Sequence, residues 1–236
     1  MGIKLSFITP CLNEQDWLPR LLISLNNCNF CHDQVEFIVA DNGSTDRTID
    51  VLWNLIPQLK YTVRLVHEFR KGVSNARNSG AIIARGEFLV FIDADNILTQ
   101  NFVDQLWRVH QQQNFYGATI RTLAEPGSIK GSLLFYLLEA IKMVLPKPFG
   151  KSVARKEAFI SVGGFDKNVK LGENVSFTSR LKLNAKCKKM KFLHITSPIY
   201  CSLRRFEKVG YLKILYPWIK AYLGNYNLPY ETVDNL

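Results

Sequence analysis

Through the first half of the chain, short apolar runs of strand length alternate with segments of helical apolar spacing. No other feature constrains the fold so tightly. Strand-like runs at 4–9, 35–40, 61–67 and 87–92 are each followed by a helical pattern, at 17–25, 45–55, 73–84 and 101–111. Strands alternating with helices predict an α/β fold with a mostly parallel central sheet flanked by helices on both faces. The run at 87–92 is apolar after its first residue, as expected of a strand buried on both sides.

The second half is less regular. An apolar helix is expected over 132–144, ended by Pro146-Lys147-Pro148-Phe149-Gly150, where proline stops a helix and glycine frees the turn. Gly163-Gly164-Phe165-Asp166 reads as a tight turn, 173–183 as a helix and 191–195 as a strand. A basic amphipathic helix carrying Tyr216, Trp218 and Tyr222 is expected over 207–223. With no convincing linker in 236 residues, the expected organisation is one domain over 1–206 and a C-terminal amphipathic helix and tail over 207–236.

The net charge of +10 suits anionic partners: nucleotide phosphates, an acidic membrane face or nucleic acid. No nucleic-acid recognition motif is present, so nucleic acid is not the expected partner. From 179 to 222 the basic residues face a single acid, Glu207. No apolar run approaches the roughly 18 residues of a spanning helix. The N-terminus runs directly into a strand without the shape of a signal peptide, so a cytoplasmic location is expected. Five cysteines, an odd number, argue against a disulfide framework. Cys28-Asn29-Phe30-Cys31-His32 matches a c-type haem attachment pattern, but without an export signal it reads as free thiols near a helix end.

The unusual polar residues collect in loops at strand C-termini, at 10–14, 41–46 and 93–96. In open α/β sheets ligands bind outside that edge. Asp93-Ala94-Asp95 directly follows the buried run, and two carboxylates at i and i+2 point to one side. They make either a solvated turn or a site for Mg²⁺ or Mn²⁺, which prefers oxygen ligands. The position after a buried strand favours the cation. In Asp41-Asn42-Gly43-Ser44-Thr45-Asp46, Gly43 permits a left-handed turn and Ser44 or Thr45 can cap the next helix. That loop is either a plain strand–turn–helix or a place where Asp41 accepts from a base or ribose.

Taken together, these stretches resemble family 2 glycosyltransferases of the GT-A (Rossmann-like) fold. The resemblance runs over Phe7-Ile8-Thr9-Pro10-Cys11-Leu12-Asn13-Glu14, Val39 to Asp46, Gly72 to Glu87 with Ala76-Arg77-Asn78, and Ile92-Asp93-Ala94-Asp95. It continues through Gly163-Gly164-Phe165-Asp166 and Gly172-Glu173 on the acceptor side. It implies a donor-binding half over about 1–125 and an acceptor-side half over about 126–206. It further implies inverting, divalent-metal-dependent transfer from a nucleoside-diphosphate sugar, UDP foremost, to a glycan or lipid-linked acceptor. It places Pro10, Leu12, Glu14 and Asp41 around the nucleoside, with Thr9, Asn42 and Ala94 also on the donor side. Asp93 and Asp95 fall at the metal and donor, Asp95 as the more direct ligand, and Arg77 near the donor phosphates or in a structural ion pair.

Two departures matter. Where the family often carries a second acid, this chain has Asn42. Where it commonly carries Glu-Asp, with Asp as general base, this chain has Glu173-Asn174, and an amide does not remove a proton. Glu173, with Asn174 beside it, is then the expected base, unless the acceptor is one that needs little base help, as a phosphate nucleophile would be. The alternative is a degenerate protein that binds nucleotide sugar without transferring it. Arg205, in Ser202-Leu203-Arg204-Arg205-Phe206, is expected either over the diphosphate or in a basic membrane-facing patch. A lone His194 at a strand end reads as structural. The apolar and aromatic helices with their lysines lead to the expectation of peripheral membrane association. A nucleotidyltransferase is disfavoured because the loop after the first strand lacks glycine.

Overall fold

The computed structural model describes residues 2–111 and 115–224. The first half follows the expected rhythm. Its elements are β1 (Leu5–Cys11), α1 (Leu18–Asn26), β2 (Val35–Asp41), α2 (Thr48–Leu55), β3 (Thr62–His67), α3 (Val73–Ile83), β4 (Phe88–Phe91), β5 (Asn96–Leu98) and α4 (Phe102–His110). Helix α2 starts three residues later than its pattern suggests. Asp46 takes hydrogen bonds from the Thr48 amide (2.9 Å) and hydroxyl (2.5 Å), keeping 45–47 in the loop. The second half contributes β6 (Phe115–Ala124), α5 (Ile129–Val144), β7 (Ser152–Arg155), α6 (Lys156–Ser161), α7 (Glu173–Cys187), β8 (Lys191–Cys201), α8 (Arg204–Val209) and α9 (Tyr211–Tyr222).

The sheet runs β3-β2-β1-β4-β7-β6-β8-β5. Strands β3, β2, β1 and β4 are parallel, whereas β7 runs antiparallel to both β4 and β6. Strands β6 and β8 are parallel, and β5 is antiparallel to β8. The expected mostly parallel sheet is therefore mixed in its second half. Strands β6 and β7 escape a pattern search because residues 115–120 and 152–154 are buried without alternation. This topology brings the C-terminal ends of β1, β2, β3, β4 and β8 and the N-terminal end of β7 to one edge.

Each face of the sheet carries its own core, and successive β1 residues serve opposite sides. Phe7 packs with Phe37, Phe88, Phe102 and the leucines of α1. Ile8 packs with Ile38, Phe91, Phe165 and Phe177 on the other side. Helix α3 lies close on β1 because Gly80 has no side chain: a Cβ there would sit 2.6 Å from Ile8 Cγ2. The α3–β4 turn is pinned through the buried Glu36 carboxylate, which accepts from the Arg85 amide (2.5 Å) and Ser6 Oγ (2.6 Å). Ser6 Oγ in turn accepts from the Gly86 amide at 2.8 Å.

The helix expected over 207–223 is two helices. Gly210, at φ 98°, breaks it, and α8 begins at Arg204. Phe206, Val209 and Ile214 pack with Phe135 of α5, so this segment is docked on the domain. Of the expected C-terminal segment, 225–236 lie outside the described residues. Among the described residues no helix is long and apolar enough to cross a membrane.

Candidate functional site

The loops after β1 and β2 are locked to each other. Asn13, held at φ 56°, accepts from the Thr45 amide (2.8 Å), and its own amide donates to Ser44 Oγ (3.1 Å). The Glu14 amide donates to Thr48 Oγ1 at 2.8 Å. Asp41 closes its own turn, accepting from the Gly43 and Ser44 amides, and lies 3.2 Å from His67 Nδ1.

Asn42 has a different task from the one expected at the donor. Its Nδ2 donates to the carbonyls of Glu68 (2.7 Å) and Arg70 (2.9 Å), and its Oδ1 accepts from the Gly72 amide (2.8 Å). Both Nδ2 hydrogens and one lone pair of Oδ1 are thus committed to the β3–α3 loop. An acid at this position has no hydrogens to offer two carbonyls.

Arg77 sits at the centre. It is 2% exposed, with Nη1 2.9 Å from Glu173 Oε1 and Nη2 2.8 Å from Asp93 Oδ1. Its guanidinium lies 5.2 Å from the centre of the Phe165 ring. Of the two sequence readings of Arg77, the ion pair is the one seen here, with Asp93 and Glu173 as its partners. Glu173 opens α7 just after Gly172, whose φ of 83° sets the entry to the helix. Its Oε1 also accepts from Asn174 Nδ2 at 3.1 Å. Both of these contacts are made to Oε1.

Asp93 is bound on both sides: Lys151, arriving from the start of β7, pairs with Oδ2. Burial pulls the Lys151 ammonium down to about 8. Across the site, Arg204 grips Glu14 through Nη2, at 2.5 and 2.6 Å from its two oxygens. Arg204 Nε is 3.7 Å from Asp95 Oδ2. Its guanidinium lies 5.0 Å from the Trp17 ring centre. Burial raises the carboxyls of both Glu14 and Asp95, opposed by Arg204 and Arg205.

These contacts discriminate between the two expected metal ligands. Asp93 has both oxygens engaged by cations, whereas Asp95 is a largely shielded carboxylate that Arg204 Nε approaches only to 3.7 Å. Among the described residues no group of three or more His, Cys, Asp or Glu converges on one point. Of the two, Asp95 is the carboxylate that could hold a divalent cation, and the further oxygen ligands such a cation prefers would have to come from outside these side chains.

The other expected residues distribute around this edge. Thr9 is buried with Oγ1 unpartnered, Ala94 is buried, Pro10 is half-buried and Leu12 is exposed. Arg205 is exposed, and its charge is felt at Asp95 and Glu14. His194 is structural, placed between Thr119 Oγ1 (3.0 Å) and Glu139 (3.3 Å). Cys28 and Cys31 are free thiols just beyond α1. Sequence reasoning did not single out Lys151, Arg204 or Trp17. Arg204 was hidden inside a run of basic residues, and nothing local marks Lys151.

The family model for Glycosyl transferase family 2 matches residues 6–165. The chain is 25% identical over 250 residues to the poly(ribitol-phosphate) beta-N-acetylglucosaminyltransferase TarP of Staphylococcus aureus, covering 98% of this chain and 72% of TarP. The structure is similar to S. aureus TarS 1–349 in complex with UDP-GlcNAc, with TM-score 0.69, 21% identity and coverage of 85% and 58% of the two chains. It is also similar to the mannosyltransferase PcManGT of Pyrobaculum calidifontis in complex with GDP-Man and Mn²⁺, with TM-score 0.67, 19% identity and coverage of 94% and 68%. The chain spans between 17% and 72% of the length of the curated relatives it matches. The structural likenesses establish the GT-A fold.

Replacing Asn42 by Asp removes two donors and sets a carboxylate against two carbonyls. Asn42→Asp is expected to lower the unfolding free energy by about 1–3 kcal/mol, read by urea denaturation. An unchanged midpoint and slope contradict the latch.

Proposed function

The chain belongs to glycosyl transferase family 2, and we propose that it transfers a sugar, with inversion, from a nucleoside-diphosphate sugar to an acceptor hydroxyl. The observation that carries this reading is the placement of Asp93 and Glu173 on one buried guanidinium, that of Arg77. A donor residue and a candidate base are thereby held across a single cleft edge. UDP is the preferred nucleotide, a choice supported by the UDP-GlcNAc complex of the similar TarS.

On this reading residues of about 1–125 bind the donor and those of about 126–206 present the acceptor. Glu14 and Asp41 flank the nucleoside, and the Lys151 and Arg205 charges face the diphosphate. Asp95 would hold Mn²⁺ or Mg²⁺, which when bound supplies charge stabilisation to the departing diphosphate. A Mn²⁺-containing complex of the similar PcManGT supports a divalent cation.

Glu173 Oε2 takes the proton of the acceptor hydroxyl. The acceptor oxygen forms its bond to the anomeric carbon on the face opposite the diphosphate. The bond from that carbon to the diphosphate oxygen breaks, and its electron pair leaves with the nucleoside diphosphate. Arg77 fixes the orientation of Glu173 through Oε1 and leaves Oε2 to the acceptor.

A second reading, nucleotide-sugar binding without transfer, is favoured by Asn174, an amide where the resemblance places the base, and by the Arg77 contact that already occupies Glu173 Oε1. One variant separates the two. Glu173→Gln is expected to lower kcat for UDP release from a UDP-sugar, measured over an acceptor panel, by about 100-fold or more. Donor affinity should be largely kept. Equal turnover by the variant and the wild type contradicts the base assignment, and binding without turnover in the wild type establishes the second reading.

We further propose that the acceptor is a glycan carried on a lipid, reached by peripheral membrane association. Leu133, Leu137 and Met143 of α5 and Leu212, Tyr216 and Ile219 of α9 are exposed apolar side chains. Lys208, Lys213 and Lys220 accompany them. Helices of this character lie in a membrane interface and are drawn to anionic lipid. The protein is expected to float with anionic liposomes at low salt and to be released at high salt; failure to float at low salt contradicts this.

A further inference from the structure

Arg204 stands between two acidic side chains that belong to different loops. It makes a two-oxygen contact with Glu14, at 2.5 and 2.6 Å. It approaches Asp95 Oδ2 only to 3.7 Å, through an Nε that is buried and makes no hydrogen bond. The Glu14 end of this bridge is therefore tight and the Asp95 end loose. The two carboxylates lie within reach of one guanidinium, and both are largely shielded from water. Such a pair is stable only with positive charge between its members.

The backbone around Arg204 is anchored at the same place. The Ser202 amide donates to the Asp95 carbonyl at 3.1 Å, and the Arg204 amide donates to Ser202 Oγ at 3.2 Å. The guanidinium can thus change partners by side-chain rotation while its loop stays in position.

We propose that Arg204 is the resident counter-cation of a Glu14–Asp95 carboxylate pair and competes with a divalent cation for it. The proposal rests on the reading that Asp95 holds the cation in the donor complex. A dication at Asp95 and a guanidinium beside it repel each other. A diphosphate relieves the conflict, because a guanidinium that holds Glu14 through Nη2 alone has further N–H donors to offer phosphate oxygens. The cation and the nucleotide then enter together, each tightening the other by the same factor.

The test is Mn²⁺ binding, followed by the electron paramagnetic resonance signal of free Mn²⁺, with and without UDP. In the wild type UDP is expected to tighten Mn²⁺ binding. Arg204→Gln is expected to bind Mn²⁺ alone about tenfold more tightly than the wild type and to lose most of the tightening by UDP. Arg204→Lys keeps a positive charge at the site and is expected to retain weak binding of Mn²⁺ alone. Circular dichroism and melting establish that each variant is folded.

A folded Arg204→Gln variant that binds Mn²⁺ no more tightly than the wild type overturns the proposal. So does a wild type that binds Mn²⁺ equally well without UDP. An Asp95→Asn control separates the two layers. If Asp95→Asn leaves Mn²⁺ binding in the presence of UDP unchanged, the Asp95 reading fails. If it weakens that binding while Arg204→Gln has no effect, only the Arg204 proposal fails.

Discussion

A cation buried to 2% exposure organises this site. Arg77, on α3, is paired with Asp93 at the end of β4 and with Glu173 at the start of α7. A guanidinium removed from water is costly unless its charge and donors are satisfied. Both partners must therefore stay where they are for the fold to keep Arg77 inside. One charge thus joins the end of β4 to the start of α7, and their relative placement is set by electrostatics as well as packing. The ring of Phe165, from the turn that follows α6, stacks against the same guanidinium.

Around that centre the charges alternate. Lys151 meets Asp93, Arg77 meets Asp93 and Glu173, and Arg204 meets Glu14 and Asp95. Every acid of the site is matched by a basic residue from another part of the chain. The loops along this edge are thereby cross-braced by ion pairs. The excess of basic residues in the second half has a local meaning here, since Lys151, Arg204 and Arg205 all lie in it.

The first four strands and first four helices were legible because the apolar runs of β1, β2 and β4 are deeply buried and the helices between them carry an apolar face. Strands β6 and β7 left none, being buried without alternation along most of their length, and β5 is only three residues long. The break at Gly210 was masked by apolar spacing that continues across it. The loops of the site were legible as loops, and the resemblance picked out Glu14, Asp41, Arg77, Asp95 and Glu173. Their pairings were not. Asp93 and Lys151 are 58 residues apart, Arg77 and Glu173 are 96 apart, and Glu14 and Arg204 are 190 apart. No local pattern records a pairing made by the closure of the sheet. Asn42 shows the converse: read as a departure at the donor site, it is a backbone latch whose three hydrogen bonds require an amide.

The coupling through Arg77 is tested most directly by a double-mutant cycle on Asp93→Asn and Glu173→Gln, measured as unfolding free energy. Either single change leaves Arg77 one carboxylate, whereas the double change leaves a buried cation with none. The expected result is a double variant less stable than the sum of the single effects by about 1 kcal/mol or more. Additivity within about 0.3 kcal/mol would show that the two carboxylates act independently and would contradict a site held together by one shared guanidinium.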